Sequence, residues 1–555
     1  MEVINSLRSN KKRTGLIISI LVLIIGIIPS FIFTFWADFY HPYTIQQKTL
    51  TAGDGVKIVA NIYSPQGNSD DHPGIVVAHG YCCNKQHMQP LSIELVKRGF
   101  TVVTIDFRGH GSSGGYLGDH NGLQLDLMAA IEYLESLENI NKFALVGHSM
   151  GGEASFRYVE NNPDKIDAMV AIGSLVSSSY NLSRIPNLLM AVGQFEQEAT
   201  PARALEALRT YTGQTSVEIG KVYGSFIHRN ASKVIVSPTS EHLNEVLDYT
   251  IIYGTVQWLE LAFNGEEADD VILSSHYLQF FTRVSQIGVV ALFFVLIVYI
   301  SNYIFKREED YPKEEKQNEF SVLKLSIYYI LISSIGLIFS QVSGDLFSTV
   351  LPISAGDQLF AIMVGNTIGI LFIYSLLVFR GKEFSLKDLQ LKIKNQYLPH
   401  SERAIIYGFI AALLACSLLT GITHWNSITT VPTAREFGTI LMMIILFFPF
   451  LFIKESYFRF VQSQLPPKSR IDEYFSMSGI GILMDVTIMI PIILLTWGEF
   501  LSLALTVMIY ILIIQQVLTT WVYIHSNYQR RNILGSTMFL GTLYAWMMVN
   551  FFPFL

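Results

Sequence analysis

Long runs without charged side chains divide the chain into an N-terminal span, a middle segment and a C-terminal region. The first run, residues 15–36, contains 22 residues and follows four basic side chains, Arg8, Lys11, Lys12 and Arg13. About 20 apolar residues cross a bilayer as a helix, whereas a cleaved signal peptide has an apolar core of about 7–15 residues and a small-residue cleavage site. Here aromatic residues end the run. We therefore predict a cytoplasmic segment at residues 1–14 and an uncleaved transmembrane anchor at residues 15–36.

The other uncharged or nearly uncharged runs lie after about residue 280. They predict an all-α membrane domain of about eight transmembrane helices at residues 276–555. The runs are residues 284–305, 325–344, 358–379, 404–425, 437–453, 474–498, 500–524 and 533–555. Because the run at residues 437–453 is short and contains Pro449, the sequence also allows one transmembrane helix fewer or one more.

Basic residues occur in alternate connections between these runs. They lie at residues 306–316, 380–394, 454–470 and 530–531, whereas the intervening connections hold almost none apart from Arg435. Lys and Arg accumulate in cytoplasmic connections. The asymmetry therefore predicts a multi-pass protein of the cell membrane, with a cytoplasmic N-terminus and an extracytoplasmic domain at residues 37–275.

The middle segment alternates short apolar runs with stretches of helical periodicity. Such alternation is typical of an α/β fold, in which a mostly parallel sheet is covered by helices on both faces. Two strands at residues 45–52 and 56–63 are joined by the turn Gly53-Asp54-Gly55. Further strands are predicted at residues 74–78, 100–105, 143–146 and 168–172, with a helix at residues 123–137.

Composition narrows the class of protein. Of 555 residues only 15% are charged and the net charge is −7, whereas a usual soluble chain has about 25% charged residues. This deficit excludes a disordered chain and argues against a purely soluble protein. Without a cluster of Lys and Arg, nucleic acid is not predicted as a partner. Three cysteines are too few for a disulfide framework.

A glycine-rich motif points to nucleophilic chemistry. The residues Gly147-His148-Ser149-Met150-Gly151-Gly152 follow a predicted strand and precede a helix-forming stretch. This is a G-x-S-x-G pattern in a strand–turn–helix setting, where the flanking glycines prevent a collision between a Cβ and the neighbouring elements. A glycine-rich helix start with an unimportant serine is the alternative. The setting favours Ser149 as a nucleophile at the edge of the sheet.

Three further patterns accompany the G-x-S-x-G motif. Together with it they make residues 45–263 resemble the α/β-hydrolase fold family, and most closely its monoglyceride-lipase and serine-aminopeptidase-like group. These patterns are His79-Gly80-Tyr81 after one strand, Asp106-Phe107-Arg108-Gly109-His110-Gly111-Ser112-Ser113 after the next, and Asn162-Pro163 before the strand at residues 168–172. The resemblance covers roughly two fifths of the chain. It says nothing of the membrane region.

A serine nucleophile needs a base within hydrogen-bond reach and a carboxylate that holds the base. The family has the chain order serine, acid, histidine. The resemblance implies His242 as the base, since it follows a strand and a loop, in preference to His228, which is predicted inside the preceding strand. It implies Glu196 as the acid, at a position where the family has aspartate, and Glu198 remains the alternative.

The charge that develops on the attacked carbonyl oxygen needs backbone N–H donors. The resemblance implies that Tyr81 and Met150 supply them. His79 belongs to the same loop pattern and is expected to be structural, and Cys82 has no elbow that would present it as a rival nucleophile. We predict no metal and no cofactor.

The predicted function is that of a membrane-anchored serine hydrolase. It would cleave an ester, thioester or peptide-like acyl substrate, either a small molecule or a lipid or peptide, through an acyl-enzyme on Ser149. Because only about a dozen residues follow the strand at residues 168–172 before the next strand, a large helical cap is not expected and the pocket would be open. The alternative is a transporter or membrane scaffold whose hydrolase-like domain binds without cleaving.

Polar residues in the membrane region add two expectations. Asp485 lies in a predicted span, where a charge is costly, and is expected to face inward. Its candidate partners are Asn366, Gln515 and Gln516. Glu455 and Arg459 are expected to form an i,i+4 ion pair.

Overall fold

The computed structural model describes residues 2–35, 42–67, 71–118, 121–174, 180–267, 273–305, 321–343, 350–354, 356–380, 387, 401–423, 432–465, 469–487, 489–495, 500–526 and 532–555. Within these ranges an eight-stranded sheet with covering helices is followed by a largely helical region. The predicted fold class, an α/β domain with a mostly parallel sheet and an all-α region of long apolar helices, is confirmed.

The first helix, α1 (Glu2–Phe35), precedes the sheet. The strands are β1 (Tyr43–Thr51), β2 (Lys57–Pro65), β3 (Gly74–Ala78), β4 (Thr101–Ile105), β5 (Phe143–His148), β6 (Ala168–Ile172), β7 (Leu188–Gly193) and β8 (Ser232–Ser237). Their order is β1-β2-β4-β3-β5-β6-β7-β8. The pairs β1–β2 and β2–β4 are antiparallel, and the remaining pairs are parallel.

Helices cover both faces of the sheet. They are α2 (Gln89–Val96), α3 (Gly122–Glu135), α4 (Met150–Asn161), α5 (Pro201–Thr212) and α6 (Tyr249–Asn264). Since successive strand residues point to opposite faces, Val76 packs into a core with α3, α4 and α5, whereas Val77 packs into a core with α2 and α6. Two buried cores thus hold the strand ends, and the loops after them, in fixed positions.

The region after the sheet consists of helices. They are α7 (Ser274–Ile304), α8 (Val322–Ser343), α9 (Gly356–Arg380), α10 (Ser401–Thr423), α11 (Ala434–Ser463), α12 (Arg470–Val486), α13 (Met489–Leu495), α14 (Phe500–His525) and α15 (Ile533–Phe551). In the described part of the chain, seven helices are long and apolar enough to cross a membrane: α1, α7, α9, α10, α11, α14 and α15. The predicted span at residues 474–498 is divided between α12 and α13.

The α/β domain is attached to the start of α7 by a buried carboxylate. Glu94 in α2 accepts a hydrogen bond from the backbone N–H of Ser275 over 2.7 Å, and the ammonium group of Lys97 donates to Ser274 Oγ over 2.7 Å. Glu94 is fully buried. Because the carboxylate in α2 accepts an N–H group from the first turn of α7, which has no intrahelical acceptor, α2 and α7 are held in a fixed relation.

A second attachment joins the loop after β4 to the end of the chain. The backbone N–H of Phe554 donates to the carbonyl oxygen of Gly109 over 3.0 Å, and the N–H of Leu117 donates to the carbonyl oxygen of Phe554 over 2.8 Å. Arg435, near the start of α11, donates to the carbonyl oxygen of Gly115 over 2.6 Å and lies 4.0 Å from the ring centroid of Phe554. The starts of α7 and α11 and the end of α15 therefore lie on the side of the α/β domain, as the charge pattern predicts. Which face of a membrane this is stays a prediction.

Candidate active site

Loops from several strands meet at one edge of the sheet. Tyr81 follows β3, Ser149 follows β5, Glu196 follows β7 and His242 follows β8. These strands run parallel, so their carboxyl ends share an edge, and this is where ligands bind in open α/β sheets. The topology therefore collects residues that are up to 161 positions apart in the sequence.

Ser149 lies on a strained turn between β5 and α4. Its φ of +51° is in the left-handed region that a non-glycine residue seldom adopts. A Cβ on Gly151 would come within 2.6 Å of the carbonyl oxygen of Ala78 in β3. Only glycine therefore allows α4 to begin this close to the sheet, which is the geometry expected of a G-x-S-x-G elbow.

Ser149, His242 and Glu196 form one hydrogen-bonded row. His242 Nε2 lies 3.0 Å from Ser149 Oγ, and His242 Nδ1 lies 2.7 Å from Glu196 Oε2. The backbone N–H groups of Glu198 and Ala199 donate to Glu196 Oε1 over 2.8 and 3.2 Å, which orients the carboxylate. A carboxylate facing Nδ1 keeps the proton there, so Nε2 is free to accept the serine proton. Glu198, the alternative acid, meets Glu196 through its backbone N–H.

Burial and charge oppose each other in this row. The side chains of His242 and Glu196 are buried. Burial lowers the pKa of His242, but the charge and hydrogen bond of Glu196 outweigh it, and the pKa is raised. Burial likewise raises the pKa of Glu196, but the contact with His242 outweighs it, and that pKa is lowered. The row therefore holds a carboxylate anion that stabilises a protonated imidazole.

Glu245 is a second buried carboxyl beside His242, and the sequence analysis missed it. Its Oε1 accepts a hydrogen bond from the N–H of Gly193 over 2.6 Å, and its Oε2 lies 4.0 Å from His242 Nδ1. Burial, and then the charge of Glu196, raise the pKa of Glu245 well above its usual range, which favours the neutral form of this carboxyl. A glutamate three residues after the predicted base was the available signal, but its burial depends on the tertiary fold.

His148, His242 and Glu245 also have potential metal-ligand atoms within 4.8 Å of one another. Both ring nitrogens of His242 already face Glu196 and Ser149. A metal ligand must be deprotonated, and the raised pKa of Glu245 opposes this. The arrangement thus favours the hydrogen-bonded row over a metal site, and the expectation of no metal and no cofactor stays a prediction.

The loop after β3 passes directly beside the nucleophile. A Cβ on Gly80 would lie 3.2 Å from Ser149 Cβ, which places the neighbouring Tyr81 close to the elbow. Met150 is the first residue of α4, and the first N–H groups of a helix have no intrahelical acceptor. Both positions suit donors to an oxyanion, and their roles stay predictions.

Asp106 holds the loops around the site together. It is fully buried, accepts a hydrogen bond from the N–H of Ser112 over 2.9 Å and forms an ion pair with Lys85. Burial alone would raise the pKa of Asp106, but Lys85 outweighs it and the pKa is lowered. His79 accepts a hydrogen bond from the N–H of Phe107 over 3.0 Å, and burial lowers its pKa to about 3. His79 is therefore a neutral structural residue, as expected.

Two predictions about polar residues are wrong: the secondary structure at His228 and the partners of Asp485. His228 lies in a turn before β8, not in a strand, because the chain reverses there with Arg229 at a φ of +55°. Asp485 faces the interior, but its partners are Tyr329 at 2.9 Å and Lys454 at 3.0 Å rather than Asn366, Gln515 or Gln516. Packing of α8 and α11 against α12 brings these partners to it.

The predicted ion pair between Glu455 and Arg459 is confirmed. The guanidinium donates to Glu455 Oε2 over 2.8 Å, and both side chains are almost completely buried. Arg459 also donates to Gln462 over 2.6 Å. The pair is thus part of a buried polar network inside the helical region.

The mouth of the candidate site faces the helical region. Tyr81, Cys82 and Leu243 pack against the apolar cluster formed mainly by α7, α10, α11, α14 and α15. Cys82 follows Tyr81 and Leu243 follows His242, so these contacts lie one residue from two of the predicted site residues. The long apolar helices therefore lie against the loops after β3 and β8, beside the pocket expected to be open.

Comparison with known proteins supports the assignment of the domain. The family model of serine aminopeptidases (S33) matches residues 70–234. A monoacylglycerol lipase of Mycolicibacterium smegmatis is 29% identical over 168 residues, covering 30% of this chain and 58% of that protein. An sn-1-specific diacylglycerol lipase of Xenopus tropicalis is 23% identical over 207 residues, covering 35% and 62%. The chain thus spans less than two thirds of the length of these relatives. An esterase structure from Pyrococcus furiosus aligns with a TM-score of 0.30 and 18% identity, covering 40% of this chain and 90% of the esterase.

Proposed function

We propose that this chain, an α/β-hydrolase domain followed by several long apolar helices, is a membrane-anchored serine hydrolase that cleaves lipid esters. The observation that carries the proposal is the row of Ser149, His242 and Glu196, with contacts of 3.0 and 2.7 Å. A domain that only binds has no physical need for a strained serine beside a buried imidazole–carboxylate pair. The names of the two lipase relatives support a lipid ester as the substrate.

In the proposed reaction, Ser149 Oγ attacks the ester carbonyl carbon while His242 Nε2 takes the hydroxyl proton. The bond from carbon to the alcohol oxygen then breaks, and His242 gives this proton to the leaving alcohol. The acyl group remains on Ser149. A water molecule attacks it, giving one proton to His242, which returns it to Ser149 as the carboxylic acid leaves. Ester and water are thereby converted to acid and alcohol.

The same residues stabilise the charges of this reaction. Glu196 lowers the free energy of the imidazolium that forms in each attack, because the two groups are buried and hydrogen-bonded. The N–H groups of Tyr81 and Met150 would donate to the carbonyl oxygen as it becomes negative. Removing one such donor typically costs about 10²–10³ in kcat.

A fluorophosphonate probe tests the proposal, because it reacts covalently with an activated serine. Wild-type protein should be labelled and should hydrolyse a monoacylglycerol, whereas Ser149→Ala should do neither. Ser183→Ala is the matched control, since Ser183 is an exposed serine of the same domain, and it should behave as wild type. Wild-type protein that is neither labelled nor active on acyl esters would favour the binding-only alternative.

We also propose the topology that the charge pattern predicts, with residues 37–275 outside the cell and residues 276–555 in the membrane. Glu266 is exposed just after α6 and offers a test site. A Glu266→Cys variant in intact cells should react with a membrane-impermeant maleimide more strongly than wild type. Reaction only after the cells are permeabilised would reverse the proposed orientation.

A further inference from the structure

A cavity of about 420 Å³ lies between the hydrolase domain and the helical region. Pockets that hold small ligands have volumes of about 300–1,000 Å³. On the hydrolase side its wall includes Cys82 and Leu243, which directly follow Tyr81 and His242. On the other side its wall is formed by α7, α14 and α15. The cavity therefore lies between loops that carry predicted site residues and helices that are apolar enough to cross a membrane.

One face of α7 is polar where it lines this cavity. Gln279, Thr282, Arg283 and Gln286 all contribute to the wall, and their i, i+3, i+4 and i+7 spacing puts them on one side of the helix. Ile287, by contrast, is 64% exposed on the same helix and is not in the cavity wall. Helix α7 contains an 18-residue stretch with a mean hydropathy of 2.4, so a polar stripe on this helix marks the cavity as a place for a polar group.

Two groups in this stripe have no partner within the described residues. The side-chain nitrogen of Gln279 is buried there without a hydrogen-bond acceptor. Arg283 is exposed and forms no ion pair with any carboxylate that the structure describes. Buried donors without partners are costly, and a guanidinium binds carboxylate or phosphate groups through paired hydrogen bonds. An anionic group that accepts hydrogen bonds would satisfy both side chains.

Apart from His87, Asn244 and Tyr510, the remaining wall is apolar. Ile511 and Ile514 of α14 and Met547 and Phe551 of α15 line the cavity together with Leu278. Such side chains suit a hydrocarbon chain, because burial of each CH₂ group is favourable by about 0.8 kcal/mol. One cavity thus offers an apolar wall, unpartnered donors and contact with the loops that carry the predicted base and oxyanion donor.

We infer that this cavity binds an anionic single-chain lipid ester, which reaches Ser149 from the bilayer between the hydrolase domain and α7, α14 and α15. The acyl chain lies along the apolar wall, and the anionic group contacts Arg283 and Gln279. This inference rests on the proposed hydrolase function and names its substrate class and route.

The first experiment fills the apolar wall. Ile514→Trp should lower the ratio of 1-oleoyl lysophosphatidylglycerol hydrolysis to p-nitrophenyl acetate hydrolysis by at least about tenfold, because the larger side chain occupies the space of the acyl chain. Ile287→Trp is the control, since it adds the same ring on the outer face of α7, and it should keep the wild-type ratio. A ratio unchanged by Ile514→Trp would overturn the inference.

The second experiment tests the anionic group. Arg283→Gln should lower kcat/KM for 1-oleoyl lysophosphatidylglycerol by about tenfold and leave that for neutral 1-oleoylglycerol within about twofold. Arg283→Lys should retain most of the preference because it keeps the charge. Equal losses for both lipids would mean that Arg283 contacts bulk lipid headgroups only, which would overturn the inference.

The lipid route and the hydrolase function would fail in different ways. If wild-type protein reacts with the fluorophosphonate probe and hydrolyses p-nitrophenyl acetate but both variants treat the lipids as wild type does, the route is wrong and the hydrolase function stands. If wild-type protein does neither, the proposed function itself is wrong, and the inference is overturned with it.

Discussion

Glu196→Gln removes the charge that faces His242 while keeping the size of the side chain. In the structure the two groups meet at 2.7 Å and are both buried. With charge centres roughly 4 Å apart and an effective dielectric constant of about 20, the lost attraction for an imidazolium is about 4 kcal/mol. Since about 1.4 kcal/mol corresponds to a factor of ten in rate, kcat should fall by about 10³-fold. An amide that donates to Nδ1 would also favour the wrong tautomer and add to this loss.

The assay is hydrolysis of p-nitrophenyl acetate as a function of pH. The pKa of His242 is raised because Glu196 outweighs the effect of burial, so Glu196→Gln should lower it. The reaction needs neutral His242, and activity falls as the pH drops through its pKa. The acid limb of kcat/KM should therefore move to lower pH in the variant.

Glu198→Gln is the matched control, because Glu198 approaches the row through its backbone N–H. It should retain kcat within about fivefold, as expected when a partly screened neighbouring charge is lost. If Glu198→Gln lost about 10³-fold in kcat and Glu196→Gln kept nearly full activity, the acid would be Glu198 and the reasoning from the contact distances would be refuted.

Three further predictions concern the framework of the site. Gly151→Ala places a Cβ 2.6 Å from a backbone oxygen. Thermal unfolding should therefore show destabilisation of about 1–3 kcal/mol, and fluorophosphonate labelling should be lost. Normal labelling would contradict the steric argument. Asp106→Asn leaves the buried Lys85 uncompensated and should destabilise the domain by about 3–5 kcal/mol at pH 7. Because the pKa of Asp106 is lowered, this difference from wild type should shrink only below about pH 4, and a constant difference down to pH 2 would contradict the assignment. Arg435→Ala removes a hydrogen bond to Gly115 and a cation–π contact with Phe554. Because these contacts hold the loop, amide hydrogen exchange of residues 109–117 should become faster by about tenfold. Unchanged protection of these amides would show that the contact is dispensable.

The fold class and the row of site residues could be predicted because their signals are local. The runs at residues 74–78 and 168–172 are strands over their whole predicted length, since both of their faces are buried and every position is apolar or glycine. Ser149 lies in a G-x-S-x-G motif, and the steric reason for its glycines follows from the strand–turn–helix setting of the motif. The prediction of His242 and Glu196 depends on the chain order of the family and on their positions after strands. The parallel topology brings the ends of these strands to one edge of the sheet.

The positions that could not be predicted depend on contacts between elements that are distant in the sequence. The partners of Asp485 lie 31 and 156 residues away, on helices whose arrangement no single apolar run determines. Glu245 looks like an ordinary residue at a helix start, and only the packing of its loop against Gly193 buries it. Hydropathy likewise identified the long helices without indicating that they pack against the loops after β3 and β8.

The contact between Phe554 and the loop after β4 has a consequence for biosynthesis. A ribosome makes residues 109–117 early, but the backbone partner of that loop is translated only after every helix from α7 to α15. The hydrogen bonds between this loop and Phe554 therefore form only after the end of the chain has been translated, whereas contacts within the domain, such as the one between Ser112 and Asp106, do not depend on it. Completion of the hydrolase domain is in this way tied to completion of the helical region, because a polypeptide truncated before residue 554 would lack these two hydrogen bonds to the loop after β4.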